Sequence, residues 1–366
     1  MTCRFYRVWA VNAALLAGLL AGCTTPEKEP APSAVMVRVS QTQRLMGVPW
    51  TITVHAESDA AGRAAIAAGF AEVARLESLL SDYDPGTELS RLSALAPTAQ
   101  PQRVSDDLWR VLGRAVEIRD ATNGAFDPTV GPLTSLWRQS RRSGRMPLPD
   151  KLAAARAAVG PETLRLVPAS RGVVLTQPAM RLDLGGIGMG YAIDRAVEVL
   201  GRQGITAAMI DASGDIAVSA APPGAAGWTI AVASLRAAGV GEAAGGGEAA
   251  GGGKAAGEQL VLTYAAVTTS GDAFQAVEID GRRYSHIVDP RTGLGVAGPA
   301  AVTVVAPDCA TADAVATAAS VLGPGQAAAV IDGLPGCAAR FVWLEAGQIR
   351  QFQTDGWPAR TSQNPE

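Results

Sequence analysis

The chain has 366 residues, a formal net charge of −3 and 48% hydrophobic residues. That balance excludes the basic excess of a typical nucleic-acid binder and leaves enough apolar side chains for a large core in one domain or two. Its only histidines are His55 and His286, which excludes a multi-histidine zinc or iron centre, so a metal would be held by oxygen ligands, with Mg²⁺ favoured.

At the N-terminus, Arg4 and Arg7 lead into "VWAVNAALLAGLL". This run is too short for a comfortable transmembrane helix and has the shape of a signal peptide. "LAGC", Leu20 to Cys23, resembles the bacterial lipobox. The expectation is a lipoprotein signal peptide over 1–22, cleavage before Cys23, and acyl chains on Cys23 that hold the protein stably at a membrane. "TTPEKEPAPSA" follows as a proline-rich, charged tether, giving a lipidated linker over 23–34. The folded domain is expected over 35–355, with a C-terminal tail over 356–366. Cys309 and Cys337 could pair in an oxidising compartment.

"WTITVHA" alternates as a strand does, and Ile66, Phe70, Val73, Leu76 and Leu80 fall at helical spacing. A second helix starts at the N-cap Ser105 and ends at Asn123-Gly124. "PDKLAAARAAVG" reads as a third, with Asp150 as cap and Gly160 as stop. Short strands are expected near 164–167, 172–176 and 180–184. A helix follows the glycines of 185–190, with Ala192, Val197 and Leu200 on one side. "ITAAMID" and "DIAVSA" are strands about a tight turn at "ASG", and "GWTIAVA" is another. "VLTYAAVTTSG", "AFQAVEID" and "RRYSHIVD" suggest a meander turning at Asp280-Gly281. "AAVTVVAP" is a buried strand, two helices follow over 309–323 and 325–333, and strands near 340–344 and 348–353 close the chain. Clustered strands and helices without strict alternation point to an α+β fold. Residues 237–257, which contain "GEAAGGG" in tandem, are a low-complexity insert, read as a loop.

Five stretches could carry chemistry. "RLDLGGIGMGYAID" runs an apolar segment into four glycines and then a helix, a place where amides and a helix N-terminus can approach phosphate. The spacing is not the dinucleotide fingerprint, and the bland alternatives are a tight turn and a capping role for Asp183. In "TADAVAT", Asp313 and Thr317 share one helical face and could hold a hard cation, or could serve the helix and its packing. "RRYSHIVDPRTG" carries His286, a possible proton carrier or a structural histidine. "NGAFDPTVGPLTSLW" forces an extended turn at Asp127-Pro128, with Phe126 and Trp137 able to meet a flat ring or the core. "LLSDYDPGTELSRL" sets Tyr83 among polar residues, as a stacking partner for an aromatic ligand or a surface tyrosine.

Together and in this order these stretches resemble the FAD:protein FMN transferase family, ApbE. "GAFDPTVGPL", "LDLGGIGMGYAID", "TTSGDA", "RRYSHIVDPRTG" and "TADAVAT" fall at matching places, from "MGVPWTI" at Met46 to "VLGPGQA" near 326. The resemblance implies an ApbE-like, T-fold-related α+β architecture of mixed, largely antiparallel sheets with packed helices. It implies an enzyme that binds FAD and Mg²⁺, transfers FMN to a Thr or Ser hydroxyl of a target flavoprotein subunit, and releases AMP. The flavin contacts it implies are Met46, Tyr83, Ala125, Phe126, Asp127, Asp183, Met189 and Ile287. The Mg²⁺ contacts are the Gly186 carbonyl and the side chains of Asp313 and Thr317. His286 would position groups or move a proton. With the lipobox, the expected location is the periplasmic side of a bacterial membrane.

The chain departs from the family pattern at three places. Met189 stands where many members carry Lys. Asp211 and Ser213 stand where Asn and Gly are frequent, and Ala273 where an aromatic is common. Two other readings follow: a Mg²⁺-dependent FAD pyrophosphatase giving FMN and AMP, and a non-catalytic flavin-binding lipoprotein.

Overall fold

The computed structural model describes residues 35–232, 258–271, 276–297, 300–345 and 348–358. The signal peptide, Cys23, the tether, the insert at 237–257 and Ala273 lie outside the described residues. Strands β1 (Val37–Leu45) and β2 (Val48–Ala56) form a hairpin, followed by helices α1 (Asp59–Leu80) and α2 (Glu88–Ala94). The short strand β3 (Gln102–Arg103) precedes α3 (Asp106–Ala121), α4 (Gly131–Ser143) and α5 (Pro149–Ala157). Then come β4 (Leu164–Val167), β5 (Gly172–Leu175), α6 (Gly188–Arg202), β6 (Ala207–Ala212), β7 (Asp215–Val218) and β8 (Trp228–Ala231). The remainder is β9 (Gln259–Leu262), β10 (Ala265–Gly271), β11 (Ala276–Ile279), β12 (Arg282–Ser285), β13 (Ala300–Ala306), α7 (Cys309–Asp332), β14 (Ala338–Glu345) and β15 (Gln348–Gln353).

An eight-stranded sheet in the order β1-β2-β6-β7-β10-β13-β14-β15 forms the centre, and each of its neighbouring pairs is antiparallel. Side-chain alternation assigns its two faces. Ile210, Ala266, Val302 and Val304 join the main core with α1, α6 and α7. Ala207, Val218, Val267 and Val305 point the other way, into a second core with Trp228, Ile230 and Leu260 of the β8–β9 hairpin. Residues 309–316 of α7 are all buried, which explains why this helix is apolar on every side. Gly323, with φ of 72°, breaks α7 into the two expected segments, and Pro324 restarts it.

Several expectations need correction. The Ser105 hydroxyl does cap α3, accepting from the Leu108 amide, but α5 is preceded by Leu148, and Asp150 sits in its first turn. Residues 180–184 make a single bridge, Arg181 with Val130, and no strand. The meander is split: β9 pairs with β8, β10 lies in the central sheet, and β11 and β12 pair apart around Asp280-Gly281. Cys309 and Cys337 are both free thiols. Residues 131–143, for which the sequence suggested no element, form α4, with Pro132 at its start and Gly144 closing it at φ of 65°.

Candidate active site

The strand register gathers the site at one end of the sheet. There the Met46-Gly47 hairpin tip, the Ser213-Gly214 turn and Asp215 lie across neighbouring strands. Ser270 continues along β10 in the same direction. Helix α7 packs on β10 and β13 and brings Thr317 to this end, with its Oγ1 3.5 Å from Ser270 Oγ.

Two of the glycines of residues 185–190, Gly186 and Gly190, are needed for close approach. None has a positive φ. A β-carbon on Gly186 would lie 2.9 Å from Thr317 Oγ1 and 3.4 Å from Phe126 Cε2, so three segments distant in sequence meet at one α-carbon. A β-carbon on Gly190 would lie 2.3 Å from the Cys309 carbonyl oxygen, where α6 crosses the start of α7. Gly190 is therefore a packing residue, and Gly186 faces the site. Helix α6 begins without a side-chain cap at Ile187, and the carboxylate that meets its first turn is Asp313 from α7, at the Gly190 amide.

Asp313 is buried, and its Oδ2 accepts from the Gly190 amide at 3.4 Å. Burial holds its carboxyl well above the usual range, and the nearby Asp215 carboxylate pushes it further. Burial also raises Asp215, followed by Asp211, against a hydrogen bond from Thr268. No Lys or Arg pairs with Asp313 or Asp215 among the described residues. Two carboxylates, the Thr317 hydroxyl and a backbone held bare at Gly186 suit a hard, oxygen-seeking cation that would relieve this repulsion. Among the described residues there is no cluster of three or more His, Cys, Asp or Glu side chains able to hold a metal, so such a site would draw on hydroxyl and carbonyl oxygens too.

Asp183 does not cap α6. Its Oδ1 accepts from the Gly185 amide at 2.8 Å, and its Oδ2 accepts from Thr134 Oγ1 at 2.7 Å and from Arg138 Nη2 at 3.2 Å. Both donors are on α4. Arg138 also pairs with Asp82, and its guanidinium lies over the exposed Tyr83 ring, 4.2 Å from the centroid. Burial and the Asp183 charge raise the Asp82 carboxyl, while Arg138 and Arg181 oppose the shift.

The same helix braces the histidine loop. Trp137 Nε1 donates to the Gly293 carbonyl at 2.8 Å, and its ring lies 5.1 Å from that of Tyr284. Trp137 is thus a core residue. The Ile287 amide donates to Ser285 Oγ at 3.1 Å, and the Val296 amide donates to the Ile287 carbonyl, closing a loop that holds His286 half-buried. Ile287 itself is buried.

Ala125, Phe126 and Asp127 are buried as well. The Phe126 amide donates to Thr122 Oγ1, and Asp127 Oδ1 accepts from the Thr129 amide and hydroxyl, which keeps its side chain tied to its own turn. Burial raises the Asp127 carboxyl against those bonds. Met46 takes a left-handed φ of 48° at the hairpin tip, and Met189 is half-buried against the main core. Asp211 Oδ1 accepts from the Gly214 amide, and Ser213 takes a φ of 58°, so the altered turn keeps its shape with a serine where glycine would be unstrained.

Arg138, Thr134, Asp215 and Ser270 are the contributors that sequence reasoning passed over. Asp215 was visible only as the residue after the "ASG" turn. Ser270 lies in "TTSGDA" and Thr134 in "NGAFDPTVGPLTSLW", neither marked out within its motif, and Arg138 had no local signal.

An antiparallel α+β domain with a bare glycine loop against a carboxylate–hydroxyl pair, flanked by aromatic and histidine loops, has the features of a site for a phosphate-bearing substrate. Comparison with known proteins narrows this class. The ApbE family profile matches residues 46–341, and the chain belongs to that family. It is 30% identical over 334 residues to the FAD:protein FMN transferase of Vibrio cholerae, covering 89% of this chain and 91% of the relative. It is 28% identical over 340 residues to the FAD:protein FMN transferase of Klebsiella pneumoniae, covering 90% of each. The apo flavinyl transferase ApbE of Pseudomonas stutzeri superposes with a TM-score of 0.75 at 27% identity, covering 88% of this chain and 96% of that structure.

Proposed function

We propose that this chain is a Mg²⁺-dependent FAD:protein FMN transferase acting on a Thr or Ser hydroxyl of a target flavoprotein subunit. The observation that carries the reading is the convergence of Phe126, Gly186 and Thr317 at a single point, one helical turn from the buried Asp313. With Phe126 read as ring-contacting and Gly186 and Thr317 as phosphate- and cation-binding, that proximity suits a flavin dinucleotide.

In the reaction, the target hydroxyl oxygen forms a bond to the FMN phosphorus of FAD. The bond from that phosphorus to the bridging pyrophosphate oxygen breaks, and AMP leaves with that oxygen. Asp313, Thr317 and the Gly186 carbonyl would hold Mg²⁺, which when bound neutralises charge on the pyrophosphate. Tyr83 offers an open ring face for the isoalloxazine, and the Ala125–Asp127 segment offers backbone. Asp183, fixed by three donors, orders the glycine loop beneath the phosphates. His286 takes the proton from the attacking hydroxyl, which is a poor nucleophile while protonated. Met46, Met189 and Ile287 complete the apolar wall of the flavin pocket. Cys23, acylated after signal-peptide cleavage, anchors the enzyme on the periplasmic side of a membrane, and the tether over 23–34 holds the domain off the lipid.

The test is to incubate the full chain in detergent with FAD, Mg²⁺ and a threonine-bearing target peptide. AMP release and an FMN mass increment on the peptide are expected, and both should stop with a chelator. Free FMN with AMP and an unmodified peptide would make the protein a pyrophosphatase. Bound FAD without AMP would make it a flavin carrier.

A further inference from the structure

Arg138 sits where three otherwise separate pieces of the site meet. Its Nη1 pairs with Asp82 Oδ2 at 2.5 Å, its Nη2 with Asp183 Oδ2 at 3.2 Å, and its guanidinium carbon is 4.2 Å from the Tyr83 ring centroid. Both carboxylates are buried, at 6% and 7% side-chain exposure, and the arginine is at 19%, whereas Tyr83 is 75% exposed. The charged cluster is thus interior and the ring is its outer lid, one face on the guanidinium and the remainder open.

We propose that Arg138 is a positioning residue for the flavin, holding Tyr83 and Asp183 together as one preset wall of the pocket. This rests on the reading above that FAD is the substrate and Tyr83 its stacking partner. An exposed tyrosine in a loop would otherwise sample several rotamers and lose that freedom on binding. The guanidinium holds the ring by its face, and Arg181 Nη2 pins the adjoining backbone by donating to the Asp82 carbonyl at 2.6 Å. Only a planar fork can satisfy two carboxylates and stack on a ring at once; an ammonium group cannot. Arg138 also neutralises Asp82 and Asp183, so its loss would leave two buried carboxylates without their cation beneath the ring.

The experiment uses the full chain in detergent, reading FAD affinity from flavin fluorescence quenching and reading KM and kcat from AMP release. Arg138→Gln is expected to raise both the FAD Kd and KM by about tenfold, with kcat changed by less than about threefold. Arg138→Lys should fall between it and the wild type, and the residual quenching at saturation should drop in both as stacking loosens. In a Tyr83→Ala background, either arginine substitution should weaken FAD binding by clearly less than it does in the wild type, because the two residues act through one contact. Should Arg138→Gln not fold, the same cycle with Arg138→Lys decides. Wild-type FAD affinity in the arginine variants, alongside weakened binding in Tyr83→Ala, would overturn the positioning role and leave the transferase reading standing. Strict additivity in the cycle would overturn the route through Tyr83. A wild-type chain that does not bind FAD would overturn both.

Discussion

Gly186 and Thr317, 131 positions apart in the chain, approach so closely that a β-carbon on the glycine would lie 2.9 Å from the threonine hydroxyl oxygen. The space between the glycine loop and α7 is therefore set to the width of a hydrogen atom on Gly186. Gly186→Ala should displace the Thr317 side chain or the loop, at a cost of about 1–3 kcal/mol in stability. The variant should fold with a lowered Tm and lose FAD turnover disproportionately. Calorimetry together with AMP release would show this, and wild-type activity would mean that the hydroxyl does not face the substrate.

Asp313 is a buried acid repelled by Asp215, so it weakens the fold unless a cation offsets it. Asp313→Asn keeps an acceptor for the Gly190 amide and removes the charge. Its Tm in chelator should equal or exceed that of the wild type, while AMP release falls by on the order of 10²–10³. Mg²⁺ should raise the wild-type Tm and leave the variant unchanged. A metal-dependent rise in both would place the cation elsewhere.

Asp194 receives the Cys309 and Ala310 amides at 2.8 and 2.9 Å at the head of α7, yet burial pushes its carboxyl from 3.8 up to about 7. Between those two values the native state holds a proton that the unfolded chain has lost. Its contribution to stability therefore falls as pH rises through that window, by at most about 1.4 kcal/mol per pH unit, and is constant above it. The difference in unfolding free energy between wild type and Asp194→Asn, measured in urea from about pH 4.5 to about pH 8, should follow this course. A difference independent of pH would mean that Asp194 stays ionised against the helix N-terminus.

Met189 is half-buried in the first turn of α6, at the position where the resemblance to the family implies lysine. Met189→Lys keeps a long apolar stem for the core and adds a charge that can reach the pyrophosphate. FAD binding should tighten by on the order of 1.5–3 kcal/mol, one charge-assisted hydrogen bond. Titration calorimetry measures it, and unchanged affinity would show that the methionine position does not face the phosphates.

The secondary structure that the sequence determined by itself is the part with a local period or a local stop. Ile66, Phe70, Val73, Leu76 and Leu80 are all buried along α1, as their spacing required, and the Ser105 hydroxyl caps α3. The "ASG" and Asp280-Gly281 turns both form, with positive φ at Gly214, Asp280 and Gly281 and, less readily, at Ser213. The ordered motifs were also sufficient to suggest the family. Helix α4 escaped because its first residues carry turn chemistry and its buried face is only Gly131, Leu133, Trp137 and Ser140, with partners that arrive from Ala155, Arg181 and residues 279–295. That Asp313 faces Asp215, that Arg138 binds Asp82 and Asp183, and that Gly190 serves packing while Gly186 opens the site were decided by tertiary structure alone. Each is a contact between segments far apart in the chain, and such contacts leave no periodicity in either segment. They exist only once antiparallel pairing and the packing of α6 on α7 have fixed which ends of which elements meet.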